Sequence, residues 1–343
     1  MQDRHIISKY FAPRGTKRMY ELGMQLGQLY LAPDDKLIGV IGDAGSGKSS
    51  LIRGMFPGLE LTNDDNGVYV RPLPILDLVG FGGGFGGMGG FGGMGGFGGM
   101  DSFGDMGGFS GGLSGFHMAE PHTYHLDIRF ENGFTSMQEL AHAIQTAIRK
   151  GKRVVVEHFD LVFPLLGINA DLLIGVGEEV VLSRPTVFGP EPQHIVAMVY
   201  KSLPFRLMSH TAEDLCEMLL PPEDLERCEH DDVMNGFVLT FRERPPQIDL
   251  RELEKKMFDM IEQDLPVTYK DENHVTIGPY THYCTGPRTH VSRTGQIKDF
   301  HLLYHFLHDR KNKKYMLVGC LGEKNLERLR ALDKRIEEGH LIF

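Results

Sequence analysis

The sequence predicts an α/β fold with a mostly parallel sheet, followed by an α+β domain, and three observations indicate it. Between residues 37 and 185 short apolar segments alternate with amphipathic ones, which is typical of a parallel sheet covered by helices on both faces. A glycine-rich turn joins the first apolar segment to the next amphipathic one. The chain has 343 residues, enough for two domains, which we expect at residues 1–202 and 203–343.

The first predicted elements surround that turn. In residues 16–31 apolar side chains recur at the spacing of an amphipathic helix, and Pro33 ends it. Residues 37–41 predict a buried strand, which leads into the glycine-rich turn. The segment after the turn has an apolar face at helical spacing and ends at Pro57.

The next elements continue the alternation. Residues 123–130 and 153–160 predict two strands. Between them, residues 136–150 carry one apolar face and predict a helix. Ser136 as its N-cap, with Glu139 three residues later, favours a capping box at its start.

The remaining elements are less regular, and the second domain is expected to start near residue 203. In order, the expected elements are two strands within residues 170–185, helices at 190–201 and 205–220, a strand at 235–241, an amphipathic helix at 248–265, short strands up to about Gly322 and a charged helix at 323–338. This mixture of helices and short strands predicts the α+β class.

Residues 80–115 have a composition unlike the rest of the chain. Glycine fills more than half of the positions, with Phe and Met at intervals of about three. So few apolar side chains cannot offset the ordering entropy of so flexible a chain, and we interpret the segment as a disordered insertion in the first domain. The alternative is an interaction segment for RNA, a partner or self-association, although it lacks the arginines typical of RNA-binding glycine tracts.

Charge and cysteine content narrow the function classes. The net charge of −10 argues against a protein-wide surface for polyanions. Residues 270–335 carry an excess of about 6 positive charges, which makes a solvated face or a local anion surface.

The four cysteines form no C-x-x-C pair, and neither a signal peptide nor an apolar run of ~20 residues stands out. We therefore expect a cytoplasmic protein without membrane contact, and the oligomeric state stays open.

Residues 42–49 complete the pattern G-x-x-x-x-G-K-S of a phosphate-binding loop. Its glycines let backbone N–H groups point inward at phosphate oxygens, and the following helix directs its positive dipole end at the same anion. Lys48 is expected to reach the β- and γ-phosphates of ATP, and Ser49 to ligate Mg²⁺. The expected nucleotide-binding residues are Gly42, Asp43, Ala44, Gly45, Ser46, Gly47, Lys48, Ser49 and Ser50.

A nucleotide loop also needs a carboxylate that holds Mg²⁺ or orients water, at the end of a strand beside the loop strand. Glu157 ends the apolar run VVVE, and Asp127 lies in the preceding strand, in YHLD. With Lys48 these are the candidate catalytic residues, although each carboxylate could instead cap a helix or face solvent. The weaker candidates are Asp160, Asp64 and Asp65.

The segment ELGMQLGQLYLAPDDKLIGVIGDAGSGKSSLIRGMF resembles the opening of the small P-loop ATPase of bacterial tRNA threonylcarbamoyladenosine synthesis. That family continues with a strand bearing H-x-D and a later strand ending in glutamate, which match residues 125–127 and Glu157 here. The resemblance spans about residues 19–178, interrupted by the glycine insertion. It implies that Asp127 and Glu157 serve Mg²⁺ and γ-phosphate chemistry. P-loop kinases of the uridine-kinase kind would explain most of the same features.

The second domain carries its most specific stretch in CTGPRTHVSRTGQIKDFHLL, residues 284–303. It resembles the editing, or second additional, domain of alanyl- and threonyl-tRNA synthetases, and the resemblance covers about residues 204–320. A helix with HTA-x-H precedes this stretch in the family, and HTAED at 210–214 takes its place here. The matching residues of the later stretch are His290, Val291, Thr294, Gly295, Ile297 and Phe300.

In that family H-x-x-x-H and C-x-x-x-H can close a tetrahedral zinc site. This sequence departs twice: Asp214 replaces the second helical histidine, and Cys284 precedes His290 by six residues instead of four. His210, Asp214, Cys284 and His290 could still bind Zn²⁺, because carboxylate is an acceptable ligand. The alternative is a metal-free hydrogen-bonded pocket. His282 is a replacement ligand, whereas His301 and His305 are interpreted as a surface pair, and Cys216, Cys228 and Cys320 as core or surface thiols.

The two resemblances together imply an ATP-dependent enzyme or ATPase that acts near tRNA or an aminoacyl compound. ATP would drive a conformational or phosphoryl-transfer step, and the second domain would bind, or hydrolyse, an aminoacyl-ester-like ligand. A small-molecule kinase with a substrate-selecting C-terminal domain is the second hypothesis. A nucleotide-gated binding module without catalysis is the third, which nucleotide affinity without turnover would reveal.

Overall fold

The computed structural model describes residues 6–62, 73–79 and 122–338. The predicted glycine-rich insertion lies outside these residues, as do Asp64 and Asp65. The described chain is of mixed α/β type, as the sequence predicts, with one mixed sheet and two antiparallel ones. No helix in these ranges combines the length and the apolar character needed to cross a membrane.

The first sheet has six strands in the order β1-β6-β5-β2-β4-β3. Its strands are β1 (Ile6–Phe11), β2 (Leu37–Ile41), β3 (Thr123–Asp127), β4 (Arg153–Glu157), β5 (Leu172–Val176) and β6 (Glu179–Ser183). Strands β5, β2, β4 and β3 pair in parallel, but β6 runs antiparallel to both β5 and β1. The parallel prediction therefore holds for four consecutive strands only. Two residues join β5 to β6, and so short a connection permits only antiparallel pairing.

Helices cover both faces of this sheet. They are α1 (Thr16–Tyr30), α2 (Lys48–Met55), α3 (Pro74–Asp77), α4 (Ile128–Glu131), α5 (Met137–Arg149) and α6 (Phe159–Leu166). Side chains of β2 alternate between the two faces: Leu37 and Ile41 join the core under α5 and α6, whereas Ile38 and Val40 join the core under α1 and α2. The predicted capping box of α5 is present.

Two strand predictions are too long, and the difference positions the candidate site. Strands β3 and β4 end at Asp127 and Glu157, and short helices start within two residues of each end. Asp127 becomes the N-cap of α4, because its carboxylate accepts from Phe130 N at 3.1 Å. His158 adopts φ 55° and turns the chain into α6. Apolar residues continue beyond both strand ends, so the sequence pattern did not show where each strand stops. Strand β1 was not predicted.

One long helix, α7 (Pro192–Met218), replaces the two helices predicted at 190–201 and 205–220. The expected domain boundary after residue 202 therefore falls inside a continuous helix. Pro204 lies within α7 and removes one backbone hydrogen bond. Burial of Leu203 and Arg206 on either side of it stabilises the helix through this position. The helix packs on β5 in the first half and on β8 and β14 in the second.

The second half contains two antiparallel sheets. Its elements are α8 (Pro222–Leu225), β7 (Cys228–Val233), β8 (Gly236–Arg242), α9 (Leu250–Glu262), β9 (Val267–Asp271), β10 (His274–Ile277), β11 (Tyr280–Tyr283), β12 (Phe300–Leu302), β13 (Leu307–Asp309), β14 (Lys314–Leu321) and α10 (Glu323–Glu337). Strands β9, β10 and β11 form one sheet, and β12, β14, β8 and β7, with β13 on β14, form the other. The predicted amphipathic helix is α9, which the Asp249 carboxylate caps.

Candidate functional site

The glycine loop of residues 42–47 leaves the buried strand β2 and enters α2 at Lys48. Gly45 has φ 76° and Gly47 has φ 94°, a left-handed backbone that favours glycine. Space is also restricted, because a Cβ at Gly45 would lie 2.6 Å from the Arg288 carbonyl oxygen. The strand, glycine turn and helix that a phosphate-binding loop requires are therefore all present.

Lys48 lies beneath the loop with 7% of its side chain exposed. Its Nζ donates to the Asp43 carbonyl oxygen at 3.0 Å and lies 3.7 Å from Glu157 Oε2. The hydroxyl of Ser49 donates to Glu157 Oε1 at 3.4 Å. An amine and a hydroxyl on the first turn of α2 thus face the same buried carboxylate. This arrangement suits a phosphate ligand and a Mg²⁺ ligand at one helix N-terminus.

Asp127 and Glu157 pair with each other as the last residues of the neighbouring strands β3 and β4. One ligand atom from each, together with a ring nitrogen of His158, all lie within 4.8 Å of one another. Burial alone would raise the pKa of Glu157, but a hydrogen bond with His125 and the charge of Lys48 lower it. Glu157 therefore stays ionised although it is buried, as a cation ligand must be.

The sequence indicated no chemical role for three further residues of this site, although His125 belongs to the H-x-D match. His125 Nε2 lies 3.2 Å from Glu157 Oε1. Burial and then the charge of Lys48 lower the pKa of His158 to about 4, which keeps this ring neutral. Arg129 Nη1 donates to Asp43 Oδ1 in the loop at 2.7 Å. All three lie within two positions of Asp127 or Glu157 in the sequence, and this proximity could have indicated that they belong to the site.

The weaker candidate Asp160 lies in the first turn of α6. Burial raises the pKa of its carboxyl. In the described part of the chain its Oδ1 has no hydrogen-bond partner. It is not among the residues that converge with Asp127 and Glu157, so it is set aside as a ligand.

The second candidate site lies where α7 meets the segment after β11. His210 and Asp214 are one turn apart on α7, and Cys284 and His290 flank the loop that packs against this turn. The rings of His210 and His290 stack with their centroids 4.3 Å apart. One ligand atom from each of the four residues lies within 4.8 Å of the others. The four residues singled out from the sequence are thus brought together.

The separations within this cluster fit a tetrahedral metal ion. Cys284 Sγ lies 3.4 Å from His210 Nε2 and 3.3 Å from His290 Nε2, and Asp214 Oδ2 lies 3.5 Å from His290 Nε2. Metal–ligand bonds of ~2.0–2.3 Å in tetrahedral geometry place ligand atoms ~3.3–3.8 Å apart. The longer spacing between Cys284 and His290 in the sequence is therefore no obstacle, and the donor set of thiolate, two imidazoles and carboxylate suits Zn²⁺.

Burial keeps these four groups in their neutral forms. It lowers the pKa of His210 and brings that of His290 to about 3. Burial, and then the negative charge of Glu217, raises the pKa of Asp214. Burial, and then the charge of Asp214, raises the pKa of the Cys284 thiol. A divalent cation must displace protons from the thiol and the carboxyl, so binding depends on pH.

The other histidines and cysteines have varied surroundings. His301 is buried and its Nδ1 lies 2.6 Å from Glu254 Oε1, so the expectation of an exposed pair with His305 is wrong. Strand β12 directs His301 towards α9, which no sequence spacing revealed. Cys216 and Cys320 are buried and Cys228 is half-buried, all as free thiols.

The two sites are connected through the fold. Arg206 on α7 lies one turn before His210 and donates to the backbone carbonyls of Ala12 and Pro13. Its guanidinium is also 3.6 Å from the Cβ position of Gly47 in the loop. The segment between Cys284 and His290 contacts the loop through the Arg288 carbonyl. The glycine loop and the second cluster are therefore linked by two sets of contacts.

No protein-family model matches this sequence, and no curated protein matches it at a significant level. The fold and its sites define the class directly. It is a mixed α/β protein with a glycine loop beside buried carboxylates and with a second, metal-type cluster in its antiparallel half.

Proposed function

We propose that this protein is an ATP-binding P-loop NTPase whose nucleotide step serves a metal-dependent second site for tRNA or an aminoacyl-type ligand. The assignment of the nucleotide site rests on one observation. Lys48 and Ser49, at the N-terminus of α2, contact Glu157 at the end of β4, and Asp127 at the end of β3 converges with Glu157. Mg²⁺-dependent nucleotide hydrolysis requires an amine, a hydroxyl and carboxylates close to the phosphate loop.

Each residue of the first site has a distinct role in this proposal. The loop N–H groups and the α2 dipole bind phosphate oxygens, and Lys48 leaves the Asp43 carbonyl to pair with the terminal phosphates. Ser49, Asp127 and Glu157 would hold Mg²⁺, which supplies charge neutralisation on the phosphates when bound. Glu157, kept ionised by His125 and Lys48, also accepts a proton from an attacking water or hydroxyl.

At the second site His210, Asp214, Cys284 and His290 would hold Zn²⁺, which would fix α7 against the segment after β11 when bound. Beside this cluster is a cavity of about 390 Å³. Pockets of this size accept small ligands. The aminoacyl character of the ligand follows from the resemblance to the synthetase editing domain.

The experiment is ATP turnover measured with and without tRNA, on the wild type and on Lys48→Ala. The matched control is Lys17→Ala, because Lys17 is exposed on α1. We expect turnover in the wild type and the control, stimulation by tRNA, and at least a 100-fold loss in Lys48→Ala. Unchanged turnover in a folded Lys48→Ala protein would overturn the assignment of the phosphate loop.

The same experiment separates the alternatives. ADP release that needs an added small-molecule acceptor, and ignores tRNA, would replace the proposal with the kinase. Nucleotide affinity without turnover under any condition would replace it with the binding module.

A further inference from the structure

The polar row on α7 continues one turn beyond the zinc-type cluster. His210, Asp214 and Glu217 follow one another at intervals of four and three residues, so they share one face of the helix. Opposite them, His282 precedes Cys284 by two residues, the interval that places side chains on one side of an extended strand. Two rows of ligand-type side chains therefore face each other, with Asp214 in the middle of its row.

The outer members of the two rows are in contact. His282 Nε2 lies 3.3 Å from Glu217 Oε2, and ligand atoms of these residues and of Asp214 all lie within 4.8 Å of one another. In the ranges that the structure describes, Asp214 Oδ2 makes no hydrogen bond, and it lies 3.5 Å from His290 Nε2. Asp214 is only 3% exposed, and buried polar atoms in proteins normally have partners. The Asp214 carboxylate is therefore suited to a cation at this position.

The ion-pair partners of Glu217 differ from those of its acidic neighbour Glu213. His230 Nδ1 lies 3.0 Å from Glu217 Oε1, which leaves Oε2 facing His282. Glu213 Oε2 accepts from Arg14 Nη1 at 2.8 Å, so the charge of Glu213 is already compensated. Glu217 and Asp214 are the carboxylates with oxygens directed at His282 or at the first cluster.

We propose that Asp214, Glu217 and His282 form a second divalent-metal site, which the Asp214 carboxylate bridges to the first cluster. The inference rests on the metal proposed at the first cluster. Four protein ligands close that first site, whereas three ligands leave a position open at the second. Asp214 and Glu217 line the cavity of about 390 Å³, so the open position faces it. Two carboxylates and one imidazole suit Zn²⁺, Mn²⁺ or Co²⁺, and bridged pairs lie ~3.5–4 Å apart.

A two-metal centre of this kind would bind the oxygen of an ester or carboxylate ligand in the cavity. The open position of the second ion would take that oxygen, and an ion at this position would polarise the attached carbonyl as a Lewis acid. The inference therefore specifies the ligand of the proposed function as one that presents a carbonyl or carboxylate group.

The test is a Co²⁺ titration of the metal-stripped full chain, followed by absorbance. Thiolate bound to Co²⁺ gives a charge-transfer band, and only the first site contains a thiol, Cys284. We expect one equivalent that produces this band and a second equivalent that adds ligand-field absorbance without it. Zn²⁺ stoichiometry by elemental analysis provides the independent count.

Variants assign the second equivalent. In His282→Gln and in Glu217→Gln the second equivalent should bind at least 10-fold more weakly, while the charge-transfer band is retained. His274→Gln is the matched control, because this half-buried histidine of β10 forms its ion pair with Asp271 and not with a residue of either cluster, and it should keep both equivalents. Melting curves identify folded variants, and His282→Gln alone suffices where Glu217→Gln does not fold.

The outcomes are distinguishable. Binding of a single equivalent with the band overturns the second site and leaves the first in place. Binding of none overturns both the second site and the metal proposed at the first cluster. A second equivalent that persists unchanged in both folded variants overturns the assignment to Glu217 and His282.

Discussion

The two candidate sites are assembled in different ways. Lys48 and Ser49 belong to one strand–turn–helix unit, and the carboxylates Asp127 and Glu157 end the next two strands of the same sheet. The second site instead joins His210 on α7 to Cys284, 74 residues later. A local unit has a recognisable sequence, whereas a site between distant segments depends on how they pack.

Their electrostatics differ as well. In the first site, positive neighbours keep the buried Glu157 carboxylate ionised. In the second, burial together with the negative charge of Glu217 favours the protonated form of Asp214. The first site is therefore already charged for a nucleotide complex, whereas the second acquires its charges only with a cation.

The largest expected effect is on the second site. Cys284→Ser combined with His290→Ala removes two of the four ligands, so the thiolate-bound metal should be lost, with at least a 1000-fold weaker affinity. Cys228→Ser, on β7, is the control, because Cys228 is not one of the four converging residues. Elemental analysis of protein purified without chelator measures the effect. Retention of the metal in the double variant would contradict the cluster assignment.

The next effect is on the first site. Glu157→Gln should lower ATP turnover about 100- to 1000-fold, because an amide neither holds Mg²⁺ as well nor accepts a proton. ATP affinity should change much less, since the loop and Lys48 remain. Single-turnover kinetics and equilibrium binding separate the two, with the exposed Glu60→Gln as control. Equal losses of affinity and turnover would assign Glu157 a binding role only.

A third prediction concerns the contact between the sites. Gly45→Ala forces a left-handed φ on alanine and places its Cβ 2.6 Å from the Arg288 carbonyl oxygen. Gly58→Ala, with φ 83° and nothing within 4 Å, has only the backbone cost of about 1–2 kcal/mol. Gly45→Ala should be destabilised by more than this control and should also alter the Co²⁺ spectrum of the second cluster. Equal melting temperatures would show that the contact is unimportant.

The smallest effect is a pH dependence at the first site. Burial and the Lys48 charge bring the pKa of His158 to about 4, against about 6.5 for an unfolded chain. The unfolded state therefore takes up a proton first, and stability should fall by about 2–3 kcal/mol as pH drops from about 6.5 to 4. His158→Asn, which tolerates the φ of 55°, should reduce this decline in denaturant titrations. His142→Asn, on the exposed side of α5, should leave it unchanged.

The sequence by itself determined the elements that local chemistry controls. Glycines at 45 and 47, followed by Lys48, mark a turn that only a few backbone conformations allow. Helical spacing predicted α1, α5 and α9, because an apolar face must be buried wherever the helix packs. Spacing on α7 also placed His210 and Asp214 on one face. The α/β class followed from these local patterns.

Tertiary structure decided what depends on distant partners. Packing that composition does not encode sets three features of the fold. They are the antiparallel edge of the first sheet, the ends of β3 and β4, and the continuity of α7 through Pro204. The same holds for the burial of His301 against Glu254. Above all, Glu217 on α7 meets His282 on β11, and contacts between segments so far apart in sequence form only when the whole chain packs.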